Sequence, residues 1–347
     1  MSIDKAFPLF ENIRSLISDT QRYVVRNVNS AMIIAYFHIG RMIVEDEQEG
    51  KQRAGYAKET ILRLSAALNN EFGKGYSVSN LEYMRSFYLN YQNRISQSAI
   101  GKFQDGINSQ SVIGNLQQPF ELSWTHYIQL LKIKNEDERH FYEIESIENN
   151  WSVRELQRQY NSSLFERLTL SKDKEGIRQL ANSGQIIEKP VDVLKSHYVL
   201  EFLGLKEDSK YSESDLETAI IDKLEHFMLE LGKGFLFEGR QRRFTFEGDS
   251  FFVDLVFYNR LLRCFVLLDL KMGKLTHQDI GQMQMYVNYY DRKIKTPDEK
   301  PTIGIILCKE ENRTVIEFTL PENNEQIFAK EYKAVLPSKE ALKRQLE

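Results

Sequence analysis

The chain has 347 residues, enough for two ordinary domains that each bury a hydrophobic core. Its formal net charge is −4, so any nucleic-acid-binding surface must be local, because the sequence as a whole is not basic. The two cysteines and the lack of a signal peptide or a bilayer-length apolar run disfavour secreted and membrane proteins and favour a cytoplasmic one.

Residues 1–160 are predicted to form an all-α N-terminal domain. Apolar residues recur at spacings of three and four over 10–39 and again over 58–72, as on one face of a helix. A glycine-containing break follows at 73–75, and Ser77 is a suitable N-cap for the next helix.

The helix pair around this break has two interpretations. It can be a helix-turn-helix that reads DNA, with Asn80, Arg85 and Asn90 as groove contacts. The same pattern is common in helix bundles whose role is structural, and the sequence leaves both open.

Residues 92–118 are rich in Gln, Asn, Ser and Gly, a composition that predicts a mobile loop. Helices resume after it, and Trp124 and Trp151 are expected to anchor the core. Ser152 and Glu155 have the spacing of a capping box.

The periodicity fades over 161–190, which predicts a connector, and 191–347 is predicted to be a second domain. Its apolar strands alternate with helices, a pattern typical of a mixed α/β sheet covered by helices on both faces.

A helix is expected over 214–231. Glu217 can close a capping box with Ser214, or it can reach the sheet, because it lies on the apolar stripe of that helix.

A β-hairpin is predicted from the apolar runs 251–257 and 264–270. Asp254 interrupts the first run, and Asp269 and Lys271 close the second. Because side chains alternate along a strand, Asp269 and Lys271 point to the same side of the sheet.

The length of the turn in this hairpin determines whether Asp254 lies close to Asp269 and Lys271. A two-residue turn at Asn259-Arg260 would leave Asp254 roughly 13 Å from Asp269. A longer loop, from 259 to 262 or 264, would place the two about 5 to 8 Å apart at Cβ. No Asn-Gly or Asp-Gly favours the tight turn, so we expect the longer loop.

Two carboxylates and an ammonium in an apolar hairpin are costly unless a partner offsets their charge. Mg²⁺ can do so, because it takes oxygen ligands and is usually held by one or two carboxylates, waters and phosphate. A D-x-K sequence by itself is more often a salt-bridged cluster at the end of a strand.

The wider pattern resembles the signature of the PD-(D/E)XK nuclease superfamily: an Asp in one strand, D-x-K in its partner, and Q-x-x-x-Y (Gln282 and Tyr286) on the next helix. The segments LEFLGL at 200–205 and ELGKGFLFEGRQRRF at 230–244 resemble the bacterial YhcG-like family within it, as does the helical first half. Two positions depart from the pattern. Val253 stands where the superfamily name has Pro, and Asp269 stands where close relatives often have Glu, which shortens the reach to a metal.

This resemblance implies a restriction-endonuclease-like fold and a metal-dependent DNA phosphodiester hydrolase, cutting as an endonuclease. Lys271 is expected to orient or deprotonate the attacking water with a depressed pKa, Gln282 to position water or phosphate, and Tyr286 to support the hairpin. The implied ligands of Mg²⁺ or Mn²⁺ are Asp254, Asp269, the Leu270 carbonyl and Glu217. The expected DNA contacts are Arg240, Arg242, Arg243 and Tyr286.

Two other functions fit the same residues. The protein can be a catalytically silent module that binds DNA or a protein partner, or a restriction or defence subunit that is active only in a complex, with a protein partner or as a homo-oligomer. A small-molecule enzyme is disfavoured because the chain has no glycine-rich phosphate loop and no nucleophile elbow.

Overall fold

A computed structural model describes residues 8–49, 56–94, 119–170, 172, 174–205, 211–246, 248–336, 338 and 342. The chain divides into two compact units, Met1–Leu156 and Gln157–Glu347. Most of the loop predicted at 92–118 lies outside the described residues. No helix within the described ranges has the length and apolarity needed to span a membrane.

The first unit is helical, as predicted. Its described helices are α1 (Pro8–Glu49), α2 (Tyr56–Phe72), α3 (Val78–Tyr91), α4 (Trp124–Leu130), α5 (Glu136–Glu148) and the start of α6 (Val153–Asn161). The core forms where the second half of α1 packs on α3. A Cβ at Gly40 would lie 2.0 Å from the Met84 carbonyl oxygen, so glycine is required for this close approach. Trp151 is buried, as expected, and Trp124 is half-buried against Tyr36.

The candidate groove contacts of the predicted helix-turn-helix are engaged inside the first unit. Asn80 accepts a hydrogen bond from Trp124 Nε1 at 2.7 Å, and Arg85 pairs with Glu47 at 2.7 Å. Asn90 donates to a carbonyl of its own helix. Because α3 also buries one face in the core, this arrangement favours the helix-bundle interpretation over DNA reading.

The predicted connector at 161–190 differs from a simple linker. It contains α7 (Leu164–Thr169) and α8 (Lys174–Ser183), and all six residues of α7 are buried in the second unit. Arg167 of α7 is fully buried, and its Nη1 lies 2.5 Å from Oε1 of Glu230, which is also fully buried. The apolar periodicity of this segment is weak because some of its buried positions hold charged residues, which are paired inside the protein.

The second unit is built on a six-stranded mixed sheet with helices on both faces, which confirms the predicted fold class. The strand order is β1-β6-β5-β4-β3-β2. The pairs β2–β3 and β3–β4 are antiparallel, and the pairs β4–β5, β5–β6 and β1–β6 are parallel. The strands are β1 (His197–Val199), β2 (Phe235–Phe246), β3 (Asp249–Asn259), β4 (Cys264–Lys274), β5 (Ile303–Glu310) and β6 (Ile327–Lys333).

Each face of this sheet carries its own core. One face packs on α9 (Glu213–Asp222) and α10 (Leu224–Leu231), and the other on α11 (His277–Tyr289) and α12 (Arg313–Thr319). The helix expected over 214–231 is broken into α9 and α10 at Lys223, whose φ and ψ are −121° and 30°. Cys264 and Cys308 are buried and unpaired, as expected for small apolar residues.

Candidate active site

The site lies where the sheet forks between β3 and β4. The loop joining them runs over 260–263, because Asn259 pairs with Cys264, so the expectation of a longer loop is confirmed. Pairing continues to Leu255 and Leu268, one residue before Asp254 and Asp269. Beyond that point β3 pairs only with β2, and β4 only with β5.

Asp254 stands at the branch of this fork. Its Oδ2 accepts a hydrogen bond from the Leu270 backbone N at 2.8 Å, and its Oδ1 accepts one from Gln241 Nε2 at 3.1 Å. The carboxylate thus takes a backbone donor that a β-ladder would otherwise use.

Asp269 and Lys271 lie beside Asp254, so the three residues are brought together as predicted. Lys271 Nζ lies 2.9 Å from Asp269 Oδ2, and Asp269 is 2% exposed. Burial and the charge of Asp254 raise the pKa of the Asp269 carboxyl, Lys271 opposes both, and the resulting pKa is about 7.

The pKa of Lys271 differs from the expectation. Burial alone would lower it, but the charges of Asp269, Glu213 and Asp254 outweigh burial, and the pKa is raised. Because that expectation presupposed a neighbouring metal ion, the role of Lys271 as a general base stays a prediction. The side chain is an ammonium that can donate hydrogen bonds and stabilise negative charge.

Glu217 enters the site through an intermediary that the sequence analysis missed. The capping box of α9 uses Ser212 and Asp215, not Ser214 and Glu217, so Glu217 is not needed as a cap. The Gln241 amide donates to Glu217 Oε2 at 2.6 Å and also to Asp254, which links the two carboxylates. Burial raises the pKa of Glu217, and the Asp254 charge adds to this, while Gln241 and Arg240 oppose it.

The carboxylates of Asp254 and Asp269 fit a divalent cation. Glu217, the third predicted carboxylate ligand, does not converge with them. Among the described residues, no three His, Cys, Asp or Glu side chains converge as a metal cluster, and the Gln241 amide bridges Glu217 and Asp254. Asp269 Oδ2 is buried and accepts no hydrogen bond of regular geometry; its contact is the ion pair with Lys271. Two carboxylates suffice for Mg²⁺ when waters and phosphate complete its shell.

Helix α11 covers this side of the fork. Its N-terminal capping box is formed by Thr276 and Asp279, as predicted. Gln282 Nε2 donates to the Tyr286 hydroxyl at 2.6 Å. Burial and the charge of Asp269 together raise the pKa of Tyr286 to about 12. Tyr286 is 1% exposed, so its position suits support of Gln282 and the hairpin and not the expected contact with DNA.

The three arginines of β2 are all exposed, but they are not equivalent. The charge of Arg240 acts on Glu217. Arg242 forms an ion pair with Glu238 four residues earlier, and Arg243 Nε donates to Ser250 Oγ at 3.1 Å. Of the three arginines, Arg240 is therefore the one whose charge acts on the carboxylates.

Glu213 is a further residue that sequence reasoning missed. Its Oε1 accepts a hydrogen bond from the Met272 backbone N at 3.3 Å, and its charge raises the pKa of Lys271. Acidic residues are common in the first turn of a helix, where they interact favourably with the helix dipole. The sequence therefore does not distinguish a Glu with that general effect from one that contacts the site. The contact depends on tertiary packing of α9 beside β4.

Replacing Gln241 by leucine is expected to weaken the apparent metal affinity of the site about tenfold to a hundredfold, because residues that orient ligands have effects of this size. The measurement is a metal titration of nuclease activity. Gln278→Leu, an exposed glutamine at the start of α11, is the control and should match the wild type. An unchanged metal requirement in Gln241→Leu would show that the amide bridge is not needed.

Two family models match the chain. The YhcG PDDEXK nuclease domain matches residues 191–347, and the DUF1016 N-terminal domain matches residues 12–167. A protein of Escherichia coli (strain K12) named "Putative nuclease YhcG" is 40% identical over 345 residues, which covers 96% of this chain and 92% of that protein.

Similar solved structures include a repair endonuclease from Pyrococcus abyssi (17% identity, TM-score 0.26), which covers 38% of this chain. Another is a complex of EndoMS with double-stranded DNA (14% identity, TM-score 0.27), which covers 39% of this chain. The chain spans about half the length of each. On the two domain models and the full-length relative, the chain belongs to the YhcG family of PDDEXK nucleases.

Proposed function

We propose that the protein hydrolyses phosphodiester bonds within DNA strands and uses Mg²⁺ or Mn²⁺ to do so. One arrangement carries the proposal: Asp254 and Asp269 face each other at the fork, with the Lys271 ammonium 2.9 Å from Asp269. Membership of a nuclease family supports the reaction class.

The residues have separate tasks in this proposal. Asp254, Asp269 and the Leu270 carbonyl would hold the ion, which when bound polarises the scissile phosphate and lowers the pKa of a coordinated water. Lys271 donates hydrogen bonds to the phosphate oxygens and stabilises the charge that develops on them. Gln282, held by Tyr286, positions the attacking water or the phosphate.

The surrounding residues prepare this arrangement. Gln241 and Glu217 fix the orientation of Asp254 from the α9 side of the sheet. Arg240 binds a neighbouring phosphate, a contact that does not depend on base sequence.

The test compares cleavage of supercoiled plasmid and branched DNA by the wild type and by Asp254→Ala, with Mg²⁺, with Mn²⁺ and with EDTA. We expect metal-dependent nicking by the wild type and background cleavage by the variant. If both proteins bind DNA equally and neither cuts it, the protein is a binding module. Cleavage only after addition of partner chains would indicate a subunit of a larger nuclease.

A further inference from the structure

A cleft of about 530 Å³ lies on the outward flank of α11, next to the candidate active site. Its floor is formed by Gly281, Met285 and Tyr289 of α11, and one wall is Phe246, near the tip of the β2–β3 hairpin. Small-molecule sites commonly have volumes of about 300 to 1,000 Å³. None of the tasks assigned to the active site uses these residues.

The aromatic side of the cleft is fixed before any ligand binds. The Tyr289 ring stacks on Phe244 with centroids 4.2 Å apart and an interplanar angle of 11°. The Phe246 ring stands nearly perpendicular to Tyr289, at 5.5 Å and 79°, and its side chain is 40% exposed. Two rings at right angles can hold a planar group by face and by edge.

The polar side of the cleft has the complementary chemistry. Gln284 and Asn288, one turn apart, carry carboxamides that can donate to and accept from the edge of a nucleobase. Arg292 and Lys293 lie at one end and can hold a phosphate. None of the described lining residues is acidic, although the chain as a whole has a net charge of −4.

The cleft and the active site share one helix. Gln282 and Tyr286 face the fork, while Gly281 and Met285, their sequence neighbours, face the cleft. An α-helix is about 10 Å across, a span that a few nucleotides of a single strand cover. A strand with its phosphate at the fork can therefore place a nearby base in the cleft.

We propose that this cleft binds one unpaired nucleotide of the DNA strand that the neighbouring site cleaves. The inference rests on the proposed function and adds a substrate class to it: DNA with a base extruded from the duplex, as at a bulge or a mismatch. A paired base cannot enter, because its edge and both faces are occupied in the duplex.

Gly281 offers a clean way to block the cleft. A Cβ built on it has no heavy atom within 4 Å, and the residue lies inside a helix, so a leucine there projects into open space. Leucine is a good helix former, which protects the fold. Gly281→Ala is the matched control, since it changes the backbone preference in the same direction but leaves the cleft open.

The experiment measures DNA binding with EDTA present, so it does not depend on cleavage. The probes are a 25-base-pair duplex with one central unpaired 2-aminopurine, the same duplex with that base paired, and 2-aminopurine deoxyribose monophosphate. The wild type is expected to bind the unpaired duplex about tenfold more tightly than the paired one and to quench its fluorescence by stacking. In Gly281→Leu the preference should fall to within twofold, with binding of the paired duplex unchanged, whereas Gly281→Ala should retain it.

Three results would overturn the inference. They are equal affinity of the wild type for both duplexes, a preference that survives in Gly281→Leu, and binding of the free monophosphate without any preference among the DNAs, which would assign the cleft to small nucleotides. Unfolding temperatures of the three proteins control for loss of fold. If the protein cuts DNA but does not prefer the unpaired duplex, this inference fails and the proposed function stands. If the protein prefers the unpaired duplex but does not cut DNA, this inference stands and the proposed function fails.

Discussion

Asp269→Asn is expected to lower the cleavage rate about a thousandfold and, in the metal-free protein at pH 8, to raise the free energy of unfolding by about 2 to 4 kcal/mol. The loss of rate follows from the loss of a metal-binding carboxylate. The gain in stability follows because the wild-type side chain is a buried charge beside a second carboxylate, with a pKa raised to about 7 by burial and by Asp254.

The sign of the stability effect fixes its dependence on pH. Because the folded-state pKa lies above the unfolded value of about 4, the favourable contribution of Asp269 is fully present below pH 4 and is lost as the pH rises through 7. The difference between variant and wild type should therefore grow between pH 4 and pH 8. Urea unfolding with EDTA measures it.

Asp279→Asn is the matched control for this experiment. Asp279 is the third helical residue in the capping box of α11, and the amide oxygen of an asparagine there can accept the same hydrogen bond from the Thr276 backbone N. We expect this variant to keep cleavage and stability close to the wild type. A destabilised Asp269→Asn at pH 8 would contradict the account of a strained carboxylate, even if cleavage were lost.

Glu230→Leu is expected to destabilise the second unit by about 3 to 5 kcal/mol, because it removes one partner from a buried ionic network. Glu230 accepts hydrogen bonds from Arg167 and from the Val199 backbone N, and Lys195 Nζ lies 3.8 Å from its Oε1. Burial alone would raise the pKa of Glu230, but Arg167 and Lys195 lower it to about 2. The substitution leaves two buried cations without their carboxylate.

The comparison for this variant is Glu238→Leu, which breaks the exposed ion pair with Arg242 on β2. Exposed pairs contribute about 0 to 1 kcal/mol, so the two substitutions separate buried from surface ion pairing. Equilibrium unfolding followed by a tryptophan-independent probe, such as far-ultraviolet circular dichroism, measures both. A Glu230→Leu protein within 1 kcal/mol of the wild type would mean that the buried cations find other partners.

The sequence predicted those parts of the site that depend on local chain geometry. The loop length, the facing of Asp254 and Asp269, and the capping box of Thr276 all follow from strand alternation and turn chemistry over short stretches. The family resemblance then selected a metal site over a salt bridge for the same residues.

The remainder depended on contacts between distant segments. Gln241 adopts φ = 47° inside β2, and its amide contacts Glu217, which lies 24 residues earlier, and Asp254, which lies 13 residues later. The sequence did not indicate that three carboxylates act on Lys271 and raise its pKa in the metal-free protein. Composition suggested a linker at 161–190 because the partner of Arg167 lies 63 residues further along the chain.

The position of Arg167 also determines how short a fragment containing the second unit can be. The nuclease-domain match begins at residue 191, but Arg158 and Arg167, which neutralise Glu230, come before it. A fragment started at 191 would keep Lys195 but lose both arginines that pair with the buried Glu230 carboxylate, and it would lack the buried helix α7. The smallest fragment that keeps the second unit intact should therefore start near Gln157, about one helical hairpin before the start of the family match.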